Sequence, residues 1–412
     1  MVSLIVLGLV LVLIAVRKVG ALHLKIWQIM LGGALIVVVL GQISFHDAIA
    51  AIEMEVMLFL FGMFVLGRAL EVSGYLSHLS FCMFRHANTT DKMLLFILFG
   101  MGLGSAVLMN DTLAIVGTPV VLHLAIKHKL PSQLLLLALC FAVTIGSVMS
   151  PIGNPQNLLI AVQSDMDNPF VSFFLYLGIP TTINLVVTYG WLRWQFRGAF
   201  HAVSLHHEQP EVMDQSLMQW ARLGGVLVLV LIGVKIGLAT LGNAHEMPLT
   251  VIALSGAFPV LLLSSKRTMV LKSIDWATLI FFAAMFVLME SVWQTDFFQN
   301  MATTWDLDFG DTSVVMGVGI GISQLISNVP LVVLYLPLLL NAGASHEVLL
   351  ILAAGSTIAG NLFVLGAASN VIVIQNAELR GDHSLTFWAF ARSGIPVTAL
   401  NVGVYLAWFA LI

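Results

Sequence analysis

Apolar residues in this chain come in long runs, and the polar residues between them fall at sharp breaks. Runs near 3–16, 26–42, 56–72, 133–163, 169–192, 223–241, 249–264, 276–293, 347–379 and 385–411 predict ten membrane spans, since about 17–25 apolar residues cross a bilayer. Two of these runs, 133–163 and 347–379, are broken around 150–157 and around 360–370. Two further apolar stretches, 93–126 and 312–342, are each interrupted at an asparagine: Asn110 in MNDTLAIVGTP (109–119) and Asn328 in ISNVPLVVLYLP (326–337). Each half of such a stretch is too short for a comfortable span, which predicts a re-entrant hairpin with its Asn at the tip. The fold class that follows is an all-α polytopic membrane protein with discontinuous helices.

Composition agrees. The 412 residues are 59% hydrophobic and 9% charged, with a mean hydropathy of +1.01, which excludes an ordinary soluble enzyme. The net charge of -4 says little about partners, because orientation follows the local Lys/Arg bias. Cys82 and Cys140 have no metal-ligand spacing around them and read as packing residues. The amino terminus has no basic residue before its first apolar run, and Arg17-Lys18 follow it, so it reads as a retained span.

Charge placement sets an expected topology. With the amino terminus outside and both interrupted stretches as hairpins, all of the 17 Lys and Arg except Arg68 and Lys235, which lie within spans, fall on cytoplasmic segments. The outside segments carry Asp47, Asp165, Asp167, Glu246, Asp296, Asp306, Asp308, Asp311 and Glu347 instead. Both termini are then periplasmic, in an inner (cell) membrane, and the polar stretch 198–221 is a cytoplasmic linker. Its His206-His207 pair reads as part of a solvated loop.

The two interruptions belong to a longer internal repeat. Met63-Phe64-Val65-Leu66 recurs as Met285-Phe286-Val287-Leu288, Gly33-Ala34 as Gly256-Ala257, Asn110 as Asn328 and Asn157 as Asn370. GNPQNLLI (153–160) likewise answers GAASNVIV (366–373). The units are 1–197, with hairpin 93–126 and broken helix 133–163, and 222–412, with hairpin 312–342 and broken helix 347–379. Each holds five spans plus a hairpin, and an odd number of spans makes the halves inverted, an arrangement suited to alternating access around a midplane site.

Polar, helix-breaking clusters inside a membrane need a reason. Backbone that leaves helical geometry exposes amide and carbonyl groups, tolerated only where protein or a water-lined cavity satisfies them. Asn110, Asn157, Asn328 and Asn370 can cap the half-helices, or they can bind a ligand. A helix starting after each tip or break aims its positive dipole end at the midplane, which favours an anion, while preceding carbonyls suit a small cation. Asp111 faces Val329 across the repeat, so one half alone carries an ionisable group there; a mid-membrane carboxylate points to ion coupling. Arg68 aligns with Glu290, and with Glu71 these are the other charges in or near spans 56–72 and 276–293. A scaffold-stabilising pair and a substrate contact are equal readings for them. Glu53 and Glu55 read as interfacial.

At these residues the chain resembles the ion transporter superfamily of arsenite permeases, D-type sodium/proton antiporters, citrate transporters and divalent anion/sodium symporters. Asn110, Asp111, Ala114, Thr118 and Pro119 match the Asn-Asp-x-x-Ala-x-x-x-Thr-Pro of arsenite permeases. Ser327-Asn328 resembles the Ser-Asn-Thr of the symporter branch, with Val329 replacing Thr. Gly153, Pro155 and Asn157 match that branch's Gly-Thr-Pro-Pro-Asn, with Asn154 and Gln156 departing. The resemblance implies substrate and sodium sites at the tips and breaks. It implies those roles for Asn110, Thr112, Asn157, Ser327, Asn328 and Asn370; Gly153, Asn154, Gly366 and Ser369 at the breaks complete the expected substrate set, Asp111 is the expected coupling group, and a Na⁺ position is expected near Asn110, Asp111, Asn157, Asn328 and Asn370.

The expected function is secondary active transport of an anion or oxyanion coupled to H⁺ or Na⁺. The alternatives are a D-type Na⁺/H⁺ antiporter and an arsenite/antimonite efflux permease. No cofactor is implied beyond the coupling ion. The partners are a small inorganic or organic anion and the lipid bilayer, a homodimer is compatible with the architecture, and nucleic acid is not. No His-Glu-x-x-His, Gly-x-Ser-x-Gly or pair of membrane aspartates appears, which argues against an intramembrane hydrolase. A two-sided repeat suits a carrier better than a channel. The site has no Arg/Lys cluster, which favours a small singly charged or neutral oxyacid over a tricarboxylate.

Overall fold

The computed structural model describes residues 1–16, 18–19, 22–84, 87–164, 166–200, 214–241, 247–297, 299–300, 311–380 and 385–412. Arg17, Arg85, Asp165, Glu246, Asp306, Asp308, His206 and His207 lie outside the described residues, as does 201–213 of the expected linker.

The first half runs α1 (Val2–Val16), α2 (Ile26–Val39), α3 (Phe45–Ala50), α4 (Met54–Val72), α5 (Tyr75–Phe84), α6 (Thr90–Leu108), α7 (Asn110–Lys127), α8 (Ser132–Ser147), α9 (Pro155–Gln163) and α10 (Pro169–Gln195). The second runs α11 (Gln215–Thr240), α12 (Leu249–Leu263), α13 (Arg267–Ser273), α14 (Trp276–Trp293), α15 (Thr312–Ile326), α16 (Asn328–Asn341), α17 (His346–Ile358), α18 (Ala368–Glu378) and α19 (Phe387–Phe409). A two-residue antiparallel ladder pairs Lys18–Val19 with Leu22–His23. Among the described residues, α6, α10, most of α11 (Gln215–Ala239) and α14 are long and apolar enough to cross a membrane by length and composition.

Helix starts follow short polar side chains that accept the otherwise orphaned first-turn amides. Thr89, Asn154, Asn168, Asp214, Asp275, Asp311, Ser345 and Thr386 all cap in this way, each contributing about 1 kcal/mol. The Asp214 cap starts α11 at Gln215, so the end of the stretch expected as linker is helical. The first hairpin arm also differs from expectation. It begins at Thr90 and reaches 19 residues, because the polar Thr90, Asp91 and Lys92 hide its first turn from a hydropathy pattern; π-helical geometry over Phe96–Met101 lies within it. Shortness therefore does not interrupt this arm; the backbone at Met109 does.

Packing between the halves is reciprocal. Helix α2 packs on α14, and α12, which carries the matching Gly256-Ala257, packs on α4. Helix α1 touches α14 as α11 touches α4. The second hairpin arms do the same: α7 lies on α18 and α16 on α9, while α18 also touches α8 as α9 touches α17. Helices α10 and α19, the last of each half, pack on each other. Exchanging the halves thus maps each of these contacts onto another.

The in-span charges have local partners. Arg68 pairs with Glu71 at 2.7 Å in its own helix and donates through Nε to Ser273 Oγ at 3.0 Å. Glu290 accepts from Gln294 Nε2 at 3.0 Å, so the Arg68–Glu290 pair is not formed: an i,i+3 carboxylate is nearer than one on a repeat mate. Lys235 reaches the Met247 carbonyl at 2.7 Å. Glu53 accepts from Gln163 at 2.8 Å, tying the end of α9 to the start of α4.

Candidate functional site

In each of the two interrupted stretches the backbone turns at one residue. Met109 has φ 69° and ψ 145°, and Ser327 has φ 72° and ψ 163°. Side chains rarely adopt this region, which costs about 1–3 kcal/mol per residue. Both strained residues immediately precede the predicted tip asparagine, and both asparagines open a helix, α7 and α16. Pro119 and Pro337 lie inside those two helices. The first tip is tied to the first break: the Asn110 backbone amide donates to the Gly153 carbonyl at 2.9 Å, and its Oδ1 accepts from the Asp111 amide at 2.9 Å. Thr112 lies against α4, where a Cβ on Gly67 would fall 2.8 Å from its Cγ2. Asn328 is buried, and its Oδ1 has no partner among the described residues.

The first break is a closed polar network. Asn154 caps α9, accepting from the Asn157 amide at 2.8 Å and donating to Ser147 Oγ at 3.0 Å. The Asn157 side-chain amide lies 3.1, 3.2 and 3.0 Å from the carbonyls of Ser147, Val148 and Ser150, serving the acceptors that the end of α8 leaves open. Gly153 is required in this coil, since a Cβ there would meet the Ser147 carbonyl at 2.3 Å. One hydroxyl from the other half completes the network. Thr357 Oγ1 donates to Asn157 Oδ1 at 3.3 Å and accepts from Asn154 at 3.2 Å and Gln156 at 3.3 Å. In this structure Asn154 and Asn157 hold the break itself.

The second break is built on the same plan but left open. Two 3-10 turns, Ala359–Asn361 and Val364–Gly366, separate α17 from α18. Asn370 Nδ2 donates to the Gly360 carbonyl at 2.6 Å, as its mate Asn157 does in the first half, and Gln324 from the hairpin donates to the Ala359 carbonyl at 2.8 Å. Several buried polar atoms here have no partner among the described residues: Asn370 Oδ1, Ser369 Oγ, Ser323 Oγ and both side-chain polar atoms of Asn361. Gly366 packs near Gln324 Oε1. An unmade hydrogen bond on a buried group costs about 1–3 kcal/mol, so this concentration of oxygens is the best candidate for holding a polar ligand or a cation. Helices α7, α9, α16 and α18 all start at tips or breaks, supplying positive dipole ends for an anion.

The predicted residues thus separate into two groups. Asn110 meets Gly153, and Asn154 and Asn157 meet Thr357, whereas Asn328, Ser369 and Asn370 keep free acceptors. No hydrogen bond joins Asn110 to Asn328 or Asn157 to Asn370 among the described residues. Sequence reasoning missed Thr357, Asn361, Ser323 and Gln324. Their one signal is polarity at fully or largely buried positions next to a predicted tip or break. Among the described residues, no group of three or more His, Cys, Asp or Glu could hold a metal ion.

Helices that break at matched polar points, in an apolar chain of this length, define a multi-pass membrane transporter. The chain belongs to the family described as "Citrate transporter", whose model matches residues 9–348. It is 29% identical to a 46 kDa membrane protein of Mycobacterium leprae, covering 91% of this chain and 92% of that one. It is 26% identical to the rice silicon efflux transporter LSI3, covering 90% of each, and 29% identical to the Escherichia coli inner membrane protein YbiR, covering 88% and 87%. Among solved structures, the YdaH transporter of Alcanivorax borkumensis shares the fold, with a TM-score of 0.58 at 16% identity over 98% of this chain and 95% of that one. The resemblance to the ion transporter superfamily and the helical membrane fold are borne out, and the protein is a transporter, not an enzyme.

Proposed function

We propose that this protein is a secondary active carrier of a small oxyanion or its neutral oxyacid, coupled to H⁺ or Na⁺, with alternating access between inverted halves. The matched strain at Met109 and Ser327 carries the reading, because two equivalent tips each pay backbone energy to aim a helix start and an Asn at the same kind of point. The reciprocal contacts between halves, the odd number of spans expected in each and the Lys/Arg bias support inversion, with both termini outside and the linker cytoplasmic. The unpartnered oxygens of Asn328, Asn361, Ser369 and Asn370 supply the ligand-facing groups. Asp111 supplies the coupling charge.

Two names bracket the substrate: the family is described by citrate and the rice relative by silicon. No Lys or Arg side chain hydrogen-bonds to a tip or break residue among the described residues, which favours the weakly charged end of that range. The test is uptake by purified protein in liposomes of citrate, succinate, sulfate, arsenite and silicic acid under imposed H⁺ and Na⁺ gradients. Concentrative uptake of an oxyanion or oxyacid supports the proposal. Na⁺/H⁺ exchange with no uptake of any of the five would replace it with the antiporter, and gradient-driven export of arsenite alone with the efflux permease.

A further inference from the structure

The carrier site leaves one charged pocket unused, at the end of α10 that leads into the linker. Arg193, Trp194, Arg197, Phe200 and Gly190 line a cavity of about 370 Å³ there. From the lining we infer that this cavity holds the phosphate headgroup of an anionic phospholipid, whose acyl chains lie along the outer face of α10.

Leu175, Ile179, Ile183 and Val186 are exposed at 62%, 53%, 41% and 52%, and intervals of three or four residues put them on one face of a helix. The same face continues through Gly190 to Arg193, and Arg197, in the turn just past the helix end, joins Arg193 in lining the cavity. It is therefore an apolar track of lipid-facing residues that ends in two cations. Gly190 leaves a notch where track and cations meet, with nothing within 4 Å of the position its Cβ would take. Trp194 is 63% exposed beside it, and its ring lies 5.0 Å from that of Trp191; such indole rings favour the headgroup level of a bilayer.

The two arginines are not equivalent. Arg193 is committed: it pairs with Asp91, which also accepts from Tyr189 Oη at 2.6 Å, and its guanidinium lies 5.2 Å from the Phe200 ring centroid. Arg193 forms a fixed wall whose charge Asp91 balances. Arg197, in the 3-10 turn Arg197–Ala199, makes no ion pair among the described residues and is exposed. Among the described residues, the pocket therefore carries one positive charge without a counter-charge, at the mouth of an apolar track. That pairing of charge with track matches an anionic lipid; a soluble phosphate would use the charge and ignore the track.

The test is native mass spectrometry of the full-length protein, purified in mild detergent and equilibrated with equal amounts of phosphatidylglycerol and phosphatidylethanolamine. The wild type should retain phosphatidylglycerol preferentially. Arg197→Gln should lower that preference about fivefold, the typical effect of one interfacial cation. Gly190→Leu, which fills the notch without touching a charge, should lower it as well. A melting temperature unchanged from wild type checks that each variant is folded, and Arg197→Gln alone decides the matter if Gly190→Leu is not. Equal retention of both lipids by wild type, or an unchanged preference in Arg197→Gln, overturns the proposal. So does displacement of phosphatidylglycerol by millimolar glycerol phosphate, which would make the pocket a soluble-phosphate site.

Discussion

Among the described residues, Thr357 is the second-half side chain that hydrogen-bonds to the first break, and replacing it with Val removes the hydroxyl while keeping the shape. Three hydrogen bonds disappear, of 3.2, 3.3 and 3.3 Å. Asn154 keeps its bond to Ser147 at 3.0 Å and its capping role. Gln156 Nε2 and Asn157 Oδ1 lose their only such partners among the described residues, and those residues are 3% and 0% exposed. Two stranded buried groups would cost roughly 2–6 kcal/mol on the soluble-protein scale. Both bonds are long, and interhelical bonds in membranes average nearer 0.6 kcal/mol, so the expected loss is about 1–3 kcal/mol. Thr357→Val should be compared with wild type by reversible unfolding in mixed micelles, within a double-mutant cycle with Gln156→Met. Removing the stranded amide should recover part of the loss, giving a coupling of about 0.5–1.5 kcal/mol. A strictly additive cycle, or a Thr357→Val protein as stable as wild type, would refute the claim that this hydroxyl joins the halves.

Other substitutions probe the tips and the open break. Gly67→Ala would push a Cβ to 2.8 Å from Thr112 Cγ2, so transport should slow, and adding Thr112→Ser, which deletes that methyl and keeps the hydroxyl, should restore it; an uncorrected double variant would argue against the contact. Ser327→Gly should raise stability by about 1 kcal/mol by relieving the positive φ, and Ser327→Val should lower it by about 1–3 kcal/mol, both read by unfolding in micelles. Among the described residues Asn361 has no partner on either polar atom, so Asn361→Leu should leave stability within about 1 kcal/mol of wild type while abolishing uptake; full uptake would remove it from the ligand site.

Much of this arrangement was legible in the chain. Asn110 and Asn328 read as tips because a polar residue in mid-run has few other uses, and both open a helix after a strained residue. The breaks predicted around 150–157 and 360–370 coincide with the coil before Pro155 and the 3-10 turns before Ala368. What remained hidden depends on three-dimensional partners. Thr357 reads as an ordinary hydroxyl in an apolar helix until Asn154, Gln156 and Asn157 are brought to it from 200 residues away. The aligned asparagines Asn157 and Asn370 look equivalent in sequence, yet one is fully occupied and the other keeps a free acceptor. The ladder between α10 and α19, with Thr181 bonded to Tyr405 at 2.8 Å and Asn184 to Asn401 at 3.1 Å, was equally invisible, because its polar residues are scattered at helical spacing through apolar runs.

In the proposed carrier, Asp111 couples ion movement to substrate movement. The direct measurement is Asp111→Asn in liposomes, comparing concentrative uptake driven by an ion gradient with downhill flux of the same substrate. Gradient-driven accumulation should be lost while downhill flux persists, since the carrier keeps its tips and breaks but no longer carries the charge. Accumulation by Asp111→Asn at the wild-type level would contradict the coupling role.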